Sequence, residues 1–196
     1  MSASGRSYEL PLTITSNTNR VLVAATGVGD ATALTDSIVW VVTSPSTRQK
    51  LTKFASSTSV PSADRITAAF GLIAPNSGAG KVTWYFKLDT EHQVGAVSFY
   101  NANQSSQFAD TATLNNHIGA TATISITSAT GEIVLDFLTT NASYTWTKDA
   151  SQTLLFSRGE SDKLQSSYKA HSVTSMVWTT TGAYAANGIA VRIKPL

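Results

Sequence analysis

The sequence predicts an all-β chain, folded as one antiparallel β-sandwich of two sheets over residues 1–196, with residues 1–7 as a flexible arm. Three observations predict it. Runs that alternate apolar and polar residues recur along the chain, which is the period of a half-buried strand. Clusters of Gly, Asn, Ser and Pro interrupt them at the short spacing of sandwiches and barrels. Helix signals are weak. The best is Asp64 as a cap before Arg65-Ile66-Thr67-Ala68-Ala69-Phe70, and its β-branched residues and Gly71 argue against a long helix.

The elements follow in order. Strands are expected at Tyr8–Thr15, Arg20–Thr26, Ile38–Thr43, Gln49–Ser56 and Arg65–Ile73. In Lys81-Val82-Thr83-Trp84-Tyr85-Phe86, the residues Val82, Trp84 and Phe86 share a face. Asn76-Ser77-Gly78-Ala79-Gly80 before it has the length of a hairpin loop. Gly95–Tyr100 follows, and then Ile124 and Ile126 alternate with Thr123, Ser125 and Thr127. Ala129-Thr130-Gly131 separates that strand from Glu132–Leu138, which is apolar on both faces except at Asp136 and reads as a central strand. Thr153–Ser157 and Ser172–Thr179 precede the last strand, where Ile189, Val191 and Ile193 point one way and Pro195 ends the pattern.

Composition narrows the function. The chain has no cysteine, which excludes disulfides and thiolate metal sites. Charged residues make up 13%, about half the usual share, and Ser and Thr fill the gap at about a quarter of the chain. The net charge is +2, and the densest basic group is Arg48, Lys50 and Lys53. Nucleic-acid binding needs a more concentrated basic footprint, so none is expected. No apolar run reaches the roughly 18–20 residues of a spanning helix, so no membrane insertion is expected. The opening Met1-Ser2-Ala3-Ser4-Gly5-Arg6 lacks the charged-then-apolar pattern of a secretory signal. The expected location is a virus particle, with an extracellular protein as the alternative.

Several segments carry a family resemblance in a conserved order. They are Arg20-Val21-Leu22-Val23-Ala24-Ala25-Thr26-Gly27-Val28, Leu51-Thr52-Lys53-Phe54, Ile73-Ala74-Pro75 through Trp84, and Gly95-Ala96-Val97-Ser98-Phe99. Ser128 through Asp136, Ser175-Met176-Val177-Trp178-Thr179 and Ile189 through Pro195 complete the set. From about residue 10 onward this resembles the concanavalin-like jelly-roll module of secreted bacterial and phage particle proteins. The resemblance implies a jelly-roll sandwich and no shared catalytic residues. The chain departs from the pattern at Ile38-Val39-Trp40, where the family has a Tyr-Gly-Gly turn.

Candidate chemistry is sparse. His92, His117 and His171 have no metal-ligand spacing and read as solvated or locally bonded. Asp89, Glu91 and His92 cluster on a loop, as Asp30 and Asp36 do, without the pattern of a Ca²⁺ loop. Gly78-Ala79-Gly80-Lys81 lacks the spacing of a phosphate loop, and no Gly-x-Ser-x-Gly elbow is present. Asp136 sits in an apolar strand and needs partners if buried. Glu132 lies four residues away, roughly 13 Å along a strand and too far for a glycosidase pair. A hydrogen-bonded structural aspartate is therefore expected. No metal and no cofactor are expected.

The remaining surface candidates are aromatic. Tyr144 and Trp146 alternate in a polar stretch, and Tyr184 lies in a Gly/Ala/Asn segment. Exposed rings of this kind can stack on the apolar faces of sugars, or they can cover a core edge. The leading expectation is a non-enzymatic structural or attachment module of a phage virion, as capsid decoration or a tail or fibre component. It would assemble with itself as a homo-oligomer and with other virion proteins. The alternative is a carbohydrate-binding module using Tyr144, Trp146 and Tyr184 on surface glycans.

Overall fold

The periodic runs become strands in three antiparallel sheets. The structure, a computed structural model, describes residues 2–4, 7–29, 35–58, 65–88, 91–141, 144–159 and 162–196. In chain order the described strands are β1 (Ser2–Ser4), β2 (Ser7–Ile14), β3 (Val21–Val28), β4 (Thr35–Val42), β5 (Thr47–Lys50), β6 (Thr52–Ser56), β7 (Ile66–Ile73) and β8 (Gly78–Phe86). They continue as β9 (Glu91–Phe99), β10 (Thr111–Ser125), β11 (Ile133–Asn141), β12 (Thr147–Lys148), β13 (Thr153–Arg158), β14 (Asp162–Ala170) and β15 (Ser175–Ile193). No helix occurs among the described residues. The helix signal at Arg65–Phe70 resolves into β7, because Ile66 and Thr67 favour the extended chain and Ile66–Phe70 is buried on both faces.

Sheet A has the order β1-β9-β3-β7-β6, sheet B the order β2-β8-β4-β5, and sheet C the order β10-β15-β11-β14-β13 with β12 paired to β15. The two-sheet expectation is one sheet short. Sheet A is the middle layer, and β3 shows why: all eight of its residues are buried. Leu22, Ala24 and Val28 pack with Trp40, Val82 and Trp84 of sheet B. Val21, Val23 and Ala25 pack with Leu135, Phe137 and Val191 of sheet C. A strand buried on both faces reads as a continuous apolar run.

Small residues in sheet A let two aromatic rings come close, Phe108 from the segment before β10 and Phe156 from β13 of sheet C. A Cβ on Gly71 would lie 2.2 Å from the Phe108 ring, and one on Gly95 would lie 2.0 Å from the Phe156 ring. Both glycines are therefore sockets for aromatic rings. At the far end of the same interface, Thr67 Oγ1 meets Thr139 Oγ1 at 2.7 Å and donates to the Asn187 carbonyl at 3.0 Å.

Sheet C bends over itself. The N-terminal half of β10 pairs with the C-terminal half of β15, and the C-terminal half of β10 pairs with the N-terminal half of β15. Between Gly119↔Tyr184 and Thr121↔Thr179, the four residues Thr180 to Ala183 stand opposite Ala120 alone. A bulge of this kind adds twist and turns the ribbon. The turned ribbon, β10–β15–β12, covers the outer face of β11 and β14. Beneath it lie Ile124, Met176, Val134 and Ala190 in one cluster, and Ala122, Leu138, Trp146 and Trp178 in another.

Two expected loops connect differently. The segment 76–80 does not close a hairpin: β7 lies in sheet A and β8 in sheet B, so it crosses between layers. Gly78 and Gly80 already belong to β8. Ala129–Gly131 turns the chain, with Glu132 N–H donating to the Ala129 carbonyl, but β15 lies between β10 and β11. The expected arm is partly built in, since Ser2–Ser4 pairs with Glu91–Gln93 and Ser7 opens β2.

Candidate functional site

The outer face of β11 carries the one buried carboxylate environment that the described residues reveal. Asp136 is 0% exposed. Its Oδ2 accepts from Trp178 Nε1 at 2.6 Å. Its Oδ1 accepts from Ser167 N at 2.8 Å and Ser167 Oγ at 2.7 Å. Ser167 Oγ in turn accepts from Gln152 Nε2 at 2.8 Å, and Gln152 Oε1 accepts from Val177 N at 2.7 Å. The chain of bonds ties β11 and β14 to the turned ribbon at β15. Burial raises the Asp136 carboxyl and outweighs the donors, which lower it, so that it stands at about 6. At neutral pH it is a carboxylate whose oxygens all face donors, which is the structural aspartate expected.

Glu132 has its own partners. It sits outside β11, accepts from Ala129 N at 2.7 Å and lies 3.4 Å from Arg192 Nε. Arg192 and Lys194 both pair with Asp110. The Lys194 and Arg192 hydrogen bonds hold the Asp110 carboxyl below its ordinary value. These four charges brace the end of β15 against the start of β10.

The expected aromatic trio splits. Trp146 is 2% exposed and packs with Trp178, Leu138 and Ala186, so it covers the core edge and is no sugar platform. The expected shared strand face is also absent, because β12 begins only at Thr147. Tyr144 and Tyr184 do come together, with rings stacked at an interplanar angle of 14° and both half-buried. Desolvation and the bond to Tyr144 raise the Tyr184 hydroxyl pKa. Each ring covers a face of the other.

His92 is buried and stacks on Phe86 with centroids 3.7 Å apart, and His117 meets Trp146 edge-on. His171 sits exposed in a turn with φ of 64°. Among the described residues no three His, Asp or Glu side chains gather as a metal set. Asp30, Asp64 and Asp89, and the side chain of Asp36, lie outside the described residues.

The feature that strand-by-strand reading missed is an edge. β10 runs for 15 residues at the border of sheet C. It contains no Asp, Glu, Lys, Arg or Pro. The other edges differ: β2 carries Glu9 and Pro11, β5 carries Arg48 and Lys50, β6 carries Lys53 and a bulge, and β13 carries Arg158 and a bulge. β1 is three residues long. Charges, proline, bulges and shortness are the usual devices that stop an edge from pairing with another chain. β10 has two bulges of its own, and both lie before Thr121. From Thr121 to Ser125 the register is unbroken and the outward side chains Thr121, Thr123 and Ser125 are exposed. A signal was present in the sequence, since no charge occurs from Thr111 to Gly131.

No family model matches the chain, and no match was found among curated proteins or among solved structures.

Proposed function

We propose that the chain is a non-enzymatic structural or attachment module of a phage virion, a capsid-decoration or tail or fibre component that works through protein–protein assembly. The observation that carries this reading is the uncharged edge at β10, free of charge and proline over 15 residues. An exposed edge of that kind is a template for strand addition, in which main-chain bonds supply the affinity. The chain alone is as compact as a monomer of its mass. Its accessible surface is 8516 Å², against about 8,900 Å² for a monomer of this mass. Assembly would therefore add copies at a surface. The facing of sheets A and B across one apolar core supports a sandwich kinship of jelly-roll type, with sheet C as a further layer.

The non-enzymatic part rests on Asp136, whose oxygens are committed to Trp178 and Ser167. A carbohydrate-binding reading would rest on Tyr144 and Tyr184 alone, and a glycan array with Tyr184→Ala as control tests it. The genes beside the coding sequence test the virion reading. Capsid or tail genes as neighbours are the expected result, and a glycan-use locus would contradict it.

A further inference from the structure

We infer that Thr121–Ser125 of β10 pairs antiparallel with the same segment of a second copy, about a two-fold axis through Thr123. This rests on the assembly reading above and names its partner. The segment is chosen by geometry. The N-terminal half of β10 is interrupted by a bulge between Leu114 and His117, and Asn115 there accepts from Thr58 N at 2.8 Å. The second shift falls between Gly119 and Thr121. Beyond it the strand is regular, and its hydrogen bonds among the described residues go to β15 alone.

The occupant is chosen by charge and twist. Residues 111–125 carry no formal charge, so two copies meet without like-charge opposition. Two identical edges also share one twist. This chain's other edges fit less well: Pro11 removes a donor from β2, and Arg48 and Lys50 charge β5. An isologous pair uses up both edges and closes, which stops open-ended growth.

The axis sets the register. Thr123 faces Thr123 of the second copy, Ala122 faces Ile124, and Thr121 faces Ser125. Thr121, Thr123 and Ser125 lie on the exposed face, whereas Ala122 and Ile124 are buried against the core. The three-stranded ribbon β12-β15-β10 becomes six-stranded across the axis. Ile118, 66% exposed at the bend of the same strand, lies beside the contact. Five residues of ladder make a small interface, at the low end of specific contacts, so association should depend on concentration.

Sedimentation velocity over a concentration series tests the pairing. The wild-type mass should rise from 20.7 kDa toward twice that value. Thr123→Lys and Thr123→Glu should each stay at the monomer mass, because like charges then face each other across the axis. An equal mixture of the two should recover the doubled mass. Thermal unfolding checks that each variant is folded. Should Thr123→Lys lose its fold, the double variant Thr121→Lys with Ser125→Glu sets opposite charges across the axis and should shift association to lower concentration. Variants that associate like wild type, or a mixture that stays monomeric, would overturn the β10 pairing and leave the assembly reading standing. A wild-type chain monomeric at every concentration would overturn both.

Discussion

The two halves of the molecule are held together by different means. Between sheets A and B the core is mainly apolar, with Trp40, Trp84, Leu22 and Val82 in one cluster, Tyr8, Leu10 and Leu12 along its border, and the buried His92 ring stacked on Phe86. Under the turned ribbon of sheet C the core has apolar clusters too, but a buried carboxylate and its donors run through it. The edges differ too, although the β13 edge of sheet C carries Arg158. Sheet B ends in strands bearing Glu9, Pro11, Arg48 and Lys50, while sheet C ends in the uncharged β10. Apolar patterning fixes which face of a strand is buried, and so its register within the sheet. A directional bond such as Trp178 Nε1 to Asp136 fixes where β15 lies on β11, and so where β10 lies at the edge. The stitched half is the half that presents a pairing surface.

The largest expected effect tests the stitches. Asp136→Ala leaves Trp178 Nε1 and both Ser167 donors without their acceptor, and should cost about 3–5 kcal/mol in urea unfolding. Trp40→Ala in the apolar half should cost a similar amount, about 3–5 kcal/mol, through the cavity it leaves. The two variants separate on pH. The folded pKa of Asp136 is raised from 3.8 to about 6, so folding favours its protonated form. Its contribution is fully present below pH 3.8 and is lost as pH rises through 6. About two units correspond to about 3 kcal/mol. Wild type and Trp40→Ala should both lose stability between pH 4 and pH 7, and Asp136→Asn should lose that part of the slope. An unchanged slope in Asp136→Asn would contradict the assignment.

Smaller effects test the contact between the halves and the edge. Gly71→Ala must displace the Phe108 ring and should cost about 1–3 kcal/mol by overpacking. A midpoint equal to wild type would mean that the ring yields freely. Thr123→Lys, exposed on β10, should leave stability within about 0.5 kcal/mol while altering association, which separates the edge from the core.

Much of this was legible in the sequence. The strands expected at Arg20–Thr26, Arg65–Ile73, Lys81–Phe86 and Glu132–Leu138 fall within or beside β3, β7, β8 and β11, and the structural role of Asp136 follows from a charge inside an apolar strand. β14 was invisible. Its buried centre is Leu164, Gln165, Ser166 and Ser167, and polar residues buried by hydrogen bonds leave no hydrophobic period. The N-terminal half of β10 hid for a related reason, since its polar residues and bulge break the alternation. Ser172–Thr179 and the final strand read as two, because the polar bend near Gly182 looks like a loop although β15 runs through it. Of the aromatic trio, the sequence could not separate a ring that covers a core, Trp146, from rings that reach the surface, Tyr144 and Tyr184. Edge status is a property of sheet order, so the openness of β10 required the fold.

Amide hydrogen exchange on β10 at low and high protein concentration tests the edge most directly. The outward-facing amides of Thr121–Ser125 should exchange more slowly as concentration rises, while the edge amides of β2 and β5 stay the same. Exchange at β10 that does not change with concentration would contradict the account.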